Sequence, residues 1–220
     1  MDKKIVRVLS IIIAFVLLTC CFAGCGDERN FEKTGDVTTT DPAKEQTTDP
    51  IEIPENINTL TGKADLSASA VNGRPIAIMV ENSPAARPQW GITTPDIVVE
   101  GVAEGGITRM MWIYSDIEDI PNKVGPVRSA RHDFVEIASG MNAIFVHWGG
   151  SDGSRVGKTL GYQTIRNLKV NNIDGMDYSG SYFFRDTTRN VSSEHRGYTT
   201  QNAIKNAISK LGYSTKQTVS

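Results

Sequence analysis

The 220 residues carry 23 Lys and Arg against 25 Asp and Glu, a formal net charge of −2, which lacks the basic excess of a nucleic-acid binder. Hydrophobic residues make up 39% and charged residues 22%, so the chain as a whole is neither disordered nor membrane-embedded in composition. The length suits one domain with appendages.

Lys3, Lys4 and Arg7 precede an apolar run from Val8 to Phe22, about as long as a signal h-region and short for a membrane span. The run ends in Phe22-Ala23-Gly24-Cys25, small residues ahead of a cysteine, which resembles a bacterial lipobox with Phe where Leu is commoner. This predicts a lipoprotein signal peptide over 1–24, cleavage before Cys25, and acylation there, palmitate included. The competing reading is an uncleaved anchor helix. Several acyl chains hold a protein on a membrane far better than one. The expected place is therefore the extracytoplasmic face of the cell membrane. Cys20, Cys21 and Cys25 all lie in this segment, so the expected mature domain has no internal disulfide, thiolate metal site or cysteine nucleophile.

Residues 25–56 are rich in Thr, Asp, Glu and Pro and poor in apolar side chains, as in DVTTTDPAKEQTTDPIEIPEN. Such a stretch cannot bury enough surface to offset chain entropy, so it reads as a disordered tether with a reach on the order of 30 Å. The folded domain is expected over 57–220.

Within it, Ile76 to Val80 are five consecutive apolar residues between Pro75 and Asn82-Ser83-Pro84, the pattern of a strand buried on both faces, with Glu81 at its exit. Residues 87–91 form a loop. Residues 96–104 suit a strand by their β-branched side chains, or a short helix with Glu100 and Glu104 on one face. Gly105-Gly106 ends that stretch, and residues 107–114 follow as a strand. Arg109 in this apolar run needs a carboxylate partner, and Glu100 or Glu104 is near in sequence. That cluster is either a structural ion pair or the lining of a polar cleft.

Ala130, Phe134, Ile137 and Ala138 recur at helical spacing and predict a helix over 128–139 with Gly140 just past its end. Arg128 and Arg131 would then stand in its first turns, against the helix dipole, which calls for facing carboxylates or a bound anion. A second buried strand is expected over 141–148, then a glycine loop over 149–153 and a short helix over 154–160. The loop matches G-x-S-x-G around Ser151, with Asp174, Asp186 and His195 following in the chain order of serine hydrolases, although no oxyanion loop is identifiable. His147, at the strand end, is either bonded to backbone or a base. Residues 173–176 read as a turn and 182–186 as a short aromatic strand. A final helix is capped by Thr199 or Thr200, with Gly212 past its end. The histidines are scattered without ligand spacing, no dinucleotide or phosphate loop is present, and neither metal nor cofactor is expected.

The segments RPIAIMVEN, ARPQWGI, DIVVEGVAEGGITRMM, GPVRSAR, AIFVHWGGS, IDGM, FFRD and HRGYTT, in this order, resemble the YerB-like bacterial lipoproteins of Firmicutes from about Leu60 to Tyr213. The resemblance implies an α+β fold of layered mixed β-sheets with helices packed on one side, an extracytoplasmic place and no established enzymatic activity. It also implies a second, smaller C-terminal domain, which has no counterpart in these 220 residues, so a fragment or a truncated gene product is expected. The chain has Val191-Ser192-Ser193-Glu194 where the family tends to have Ala-Pro before the histidine.

The leading functional expectation is a membrane-tethered binding or scaffold module of the cell envelope, with a cell-wall polymer or envelope protein as partner. Its polar cleft would draw on Glu100, Glu104, Arg109, Arg128, Arg131 and His147, with Asp186 and His195 as further ligand-binding candidates. The alternative is a hydrolase of envelope polymers acting through Glu100 and Glu104, or through Ser151 with His147 or His195. A third reading makes the glutamate–arginine cluster purely structural.

Overall fold

The apolar run at Ile76 becomes the centre of the sheet. In a computed structural model that describes residues 53–152 and 160–217, β1 (Ile76–Glu81) is buried along its whole length. The expectations for the signal peptide, for Cys25, for the tether up to residue 52 and for a short helix beginning at Ser154 lie outside the described residues.

Strand β1 runs antiparallel to β3 (Thr108–Tyr114) and parallel to β4 (Ile144–His147), with Ile78 opposite both Trp112 and Val146. The ambiguous stretch before Gly105-Gly106 is a strand, β2 (Ile97–Val102), paired antiparallel with β3. Its β-branched residues win because one side can pack on the sheet's helical layer. A Cβ on Gly101 would already lie 3.2 Å from the Phe134 ring. Gly105 and Gly106 both take positive φ and close the hairpin. Strand β5 (Asn172–Asp174) extends the sheet parallel to β4, giving the order β2-β3-β1-β4-β5. Those residues were expected as part of a turn. Ile173 pairs with Val146 and is fully buried, but one apolar residue in a three-residue strand leaves almost no periodic signal.

The first helix begins later than its periodicity suggests. α1 spans His132–Gly140, and Arg131 precedes it in extended conformation. Residues 128–130 are claimed by the ends of two strands. Arg128 N–H donates to Met79 O at 3.0 Å, Trp148 N–H to Arg128 O at 3.0 Å, and Ala130 N–H to Gly149 O at 2.9 Å. A segment whose backbone groups complete a sheet cannot also donate along a helix. Gly140 is the last helical residue, and Asn142 takes the left-handed conformation beyond it at φ 51°. The strand expected over 141–148 is shortened accordingly. A helix not singled out in the sequence, α2 (Gly161–Leu168), packs beside α1 through Ile165. The terminal helix α3 (Gln201–Leu211) is as expected: Thr200 Oγ1 accepts from Ala203 N–H at 3.1 Å, and Gly212 closes it at φ 67°.

The α+β class with a mixed sheet holds, and the alternation of side chains assigns each helix to a face. Ala77, Met79, Met111, Ile113 and Phe145 meet α1 and α2 through Phe134, Val135, Ala138 and Ile165. Ile76, Ile78, Val80, Trp112, Tyr114 and Val146 meet α3 through Ile204, Ala207 and Ile208. So α3 lies opposite the α1–α2 layer, and the helices cover both faces of the sheet instead of the one side that was expected. The aromatic segment gives a small second sheet of β6 (Phe184–Arg185) and β7 (Gly197–Tyr198). It is shorter than expected because the N–H groups of Tyr182 and Phe183 close a turn onto Tyr178 O.

Candidate functional site

Because β1, β4 and β5 are parallel, their carboxyl ends share one edge, where Glu81, His147 and Asp174 emerge. That edge of a parallel arrangement is where clefts form and ligands bind in open α/β sheets. Each of these three side chains is buried, so each needs an internal partner.

Glu81 has its partners. His195 Nδ1 lies 2.8 Å from Glu81 Oε1, and Ser83 Oγ donates to the same oxygen at 2.8 Å. The other oxygen, Oε2, faces Arg128 Nε at 3.5 Å, and neither of these shielded atoms makes a hydrogen bond. Arg128 turns its NH1 to Glu194 Oε2 at 3.0 Å, while Glu194 Oε1 lies 3.6 Å from His195 Nε2. Two carboxylates, an imidazole and a guanidinium thus close a ring. The hydrogen bond and charge of Arg128 hold the Glu194 carboxyl below its usual range.

A second cluster sits on the α1 side. Arg131 bonds Glu104 through Nε, and Arg109 NH2 lies 3.5 Å from the same carboxylate while NH1 donates to Ser129 O at 3.1 Å. Burial pushes the Glu104 carboxyl up, but the Arg131 bond and the charges of Arg131, Arg109 and Arg128 outweigh it and hold it below the ordinary value. Arg109 is lowered to about 10, first by burial and then by the repulsion of Arg131, against the pull of Glu104.

The expected six-residue cleft is therefore divided. Glu100 makes its bonds elsewhere, accepting from Asn82 Nδ2 at 2.7 Å and from Thr108 Oγ1. It lies on the exposed face of β2, and pleat alternation separates it from the Arg109–Arg131 group. Arg128 and Arg131 both face carboxylates of the protein, although from an extended segment and not from helical turns.

His147 is fully buried, with Nδ1 2.8 Å from Gly149 O and Nε2 3.0 Å from Asn172 Oδ1. Both ring nitrogens are occupied, which is a positioning arrangement and leaves no free nitrogen for a base. Ser151 Oγ accepts from Gly161 N–H at 3.0 Å, ahead of α2, and has no histidine among its described partners. Among the described residues, the serine-hydrolase spacing yields no nucleophile–base pair. Asp174 supports the glycine loop: its Oδ1 accepts from Gly149 N–H at 2.8 Å and Met176 N–H at 2.9 Å, and its Oδ2 from Tyr162 OH at 2.7 Å. Asp186 pairs with Lys123, whose ammonium stands 4.0 Å over the Trp90 ring; that bond and those from Thr188 hold the Asp186 carboxyl far below its usual range. It does not line the cleft described next.

A cleft of about 380 Å³ opens at this sheet end, lined by Arg128, Ser129, Gly149, Gly150, Arg185 and Glu194 among others. Arg185 stacks on Trp148 at 4.3 Å and donates to Ser193 O. Larger cavities of about 520 and 390 Å³ lie at the other end of β1, around Gly73, away from the ring of charges. Glu81, Arg185 and Glu194 escaped the sequence reading as site residues. The signals were a carboxylate ending an apolar strand and one adjoining a histidine. Among the described residues, no group of three or more His, Cys, Asp or Glu is placed to hold a metal ion.

Residues 60–214 match the family described as "Protein of unknown function (DUF3048) N-terminal domain". YerB of Bacillus subtilis (strain 168), named as a lipoprotein, is 40% identical over 145 residues, which make up 66% of this chain and 40% of YerB. A crystal structure of the YerB protein from Bacillus subtilis matches with a TM-score of 0.64 at 36% identity, over 76% of this chain and 52% of that one. The chain thus spans about half, or less, of the length of that relative.

Proposed function

The chain belongs to the DUF3048 family through its N-terminal domain, and from that premise we propose that it is a lipid-anchored module of the cell envelope that binds an anionic group in the cleft beside Arg128. The proposed layout is a signal peptide over 1–24, lipidation at Cys25, a tether over 25–56 and the binding domain over 57–220, held on the extracytoplasmic face of the cell membrane. The lipobox-like Phe22-Ala23-Gly24-Cys25 and the lipoprotein name of YerB support the anchor.

One observation carries the binding reading. Two guanidiniums, those of Arg128 and Arg185, enter one cleft at the carboxyl end of parallel strands, and Arg185 is already oriented by its stacking on Trp148. Gly149 and Gly150 line the same cleft, and the Tyr162 ring packs where a Cβ on Gly150 would stand. The partner is a wall polymer or an envelope protein that presents a negative group. Thermal unfolding with muropeptides and wall teichoic acid fragments tests this. A fragment should raise the wild-type midpoint and leave that of Arg128→Ala unmoved. A wild-type midpoint indifferent to every fragment, with the variant merely less stable, would leave the charged ring a structural device only.

A hydrolytic reading keeps one support, the Glu81–His195 pair. Its carboxylate holds Nδ1 and leaves Nε2 beside cleft-lining Glu194. Release of nitrophenol from p-nitrophenyl esters by the wild type, abolished in His195→Gln, would favour it over binding alone.

A further inference from the structure

Arg128 holds two carboxylates that differ in kind. Glu81 belongs to the central strand, its side chain is 4% exposed, and Ser83 and His195 anchor it. Glu194 stands 54% exposed on a single 3-10 turn, Ser193–His195. Besides Arg128, its hydrogen-bond partner is Ser192 Oγ at 3.4 Å. Glu194 and Arg128 both line the cleft. We infer that Glu194 occupies the seat of a ligand carboxylate, and that an acidic peptide binds by displacing this side chain from Arg128. The inference rests on the anion-binding reading above and names its ligand class.

The displacement needs little rearrangement. His195 ties the turn to Glu81 from below, and Arg185 donates to Ser193 O from the cleft side, so the backbone of the turn stays held while the Glu194 side chain rotates away. With Glu194 54% exposed and Arg128 23%, water screens much of their attraction, so a competing carboxylate displaces Glu194 at small cost.

Charge balance selects the ligand. The guanidiniums of Arg128 and Arg185 share the neighbourhood with Glu81 and Glu194, and Arg128 also feels Glu104. This balance suits a single carboxylate that replaces a single carboxylate. A polymer with a phosphate at every repeat would bring further negative charges against Glu81 and Glu104. A ligand carboxylate can also accept the charge-assisted bond from Arg128 NH1 that Glu194 now takes with a single oxygen.

The test is calorimetric titration of the full chain in detergent micelles, wild type and Glu194→Gln, with acetyl-Ala-Glu-Ala amide and with sn-glycerol 3-phosphate at fixed ionic strength. Removing the competing carboxylate of Glu194 should tighten the peptide by about two- to fivefold in Glu194→Gln. Arg128→Lys should lose that binding, and the variants should keep the wild-type circular dichroism. Equal or weaker peptide binding by Glu194→Gln overturns the inference. Should glycerol phosphate gain from the substitution and the peptide not, the carboxylate assignment fails while the anion site stands. Should neither probe bind either protein, both fail.

Discussion

Glu81 and Arg109 are direct cross-strand partners in β1 and β3, yet the Arg109 guanidinium turns away, to Glu104 at 3.5 Å and Ser129 O at 3.1 Å. Two charge systems therefore grow from one rung of the ladder: Glu81 joins the ring with Arg128, Glu194 and His195, and Arg109 joins Glu104 and Arg131. Removing one member of a wholly buried pair costs about 3–5 kcal/mol, because the other charge is stranded. Glu104 is 51% exposed and remains solvated, so the loss should be smaller. Arg109→Ala should lower stability by about 1–3 kcal/mol, mainly through the space it leaves, and Arg109→Met should recover most of that. Urea unfolding of both variants checks the order; equal losses would mean that the charge and not the packing matters.

Acid should weaken the fold through Asp116 and Glu104. Burial pushes the Asp116 carboxyl up, but bonds from Ser67 and from the Glu118 N–H outweigh it, so the folded value lies below the ordinary one. A carboxyl lowered in the folded state adds stability that is complete above its unfolded pKa and is lost as pH falls through the folded one. Glu104, lowered by its arginines, acts in the same direction. Stability measured from about pH 6 down to pH 2 should fall, and Asp116→Asn should flatten part of that slope. An unchanged slope in the variant would remove Asp116 from the account.

What could be read in the sequence, and what could not, follows the range of the interactions. Ile76 to Val80 declared a buried strand because each of its residues is apolar, and α3 declared both ends through Thr200 and Gly212. The start of α1 did not, since Arg128 and Ala130 satisfy their backbone with Met79, Trp148 and Gly149, partners that local spacing cannot reveal. In the site, Arg128 and Arg131 signalled a need for carboxylates, and the structure supplies them. The identity of those carboxylates was hidden: His195 and Glu81 meet across 114 positions, and Glu194 reaches Arg128 across 66. Backbone bonds from Glu81 N–H to Pro126 O and from Val127 N–H to Gly197 O set those meetings, and a single sequence does not display them.

Asp174 should matter more than its short strand suggests. It accepts two backbone N–H groups and the Tyr162 hydroxyl, so truncation leaves three donors without their partner at once, one buried and two part-buried. Burial and this carboxylate together raise the Tyr162 hydroxyl pKa, which keeps the phenol protonated as a donor. Asp174→Ala should cost about 2–4 kcal/mol and Tyr162→Phe about 0.5–1.5 kcal/mol. Guanidinium unfolding ranks them, and a larger loss from Tyr162→Phe would contradict the placement of Asp174 at the centre of the loop.

Gly175 and Gly180 separate packing from backbone strain. A Cβ on Gly175 would sit 2.6 Å from Trp148 Cγ and 3.0 Å from Phe183 Cδ1, so any side chain there must push the indole that carries Arg185. Gly180 has nothing within 4 Å of its would-be Cβ, but holds φ at +84°. Gly175→Ala should destabilise by about 1–3 kcal/mol, shift the tryptophan emission and weaken any cleft ligand, because Trp148 and Arg185 would move together. Gly180→Ala should cost about 1 kcal/mol from its backbone angle alone and leave the emission and the cleft as they were. Ligand affinity and fluorescence measured side by side distinguish the two; an emission change in Gly180→Ala as large as in Gly175→Ala would show that the loop's backbone, and not the indole contact, sets the shape of the cleft.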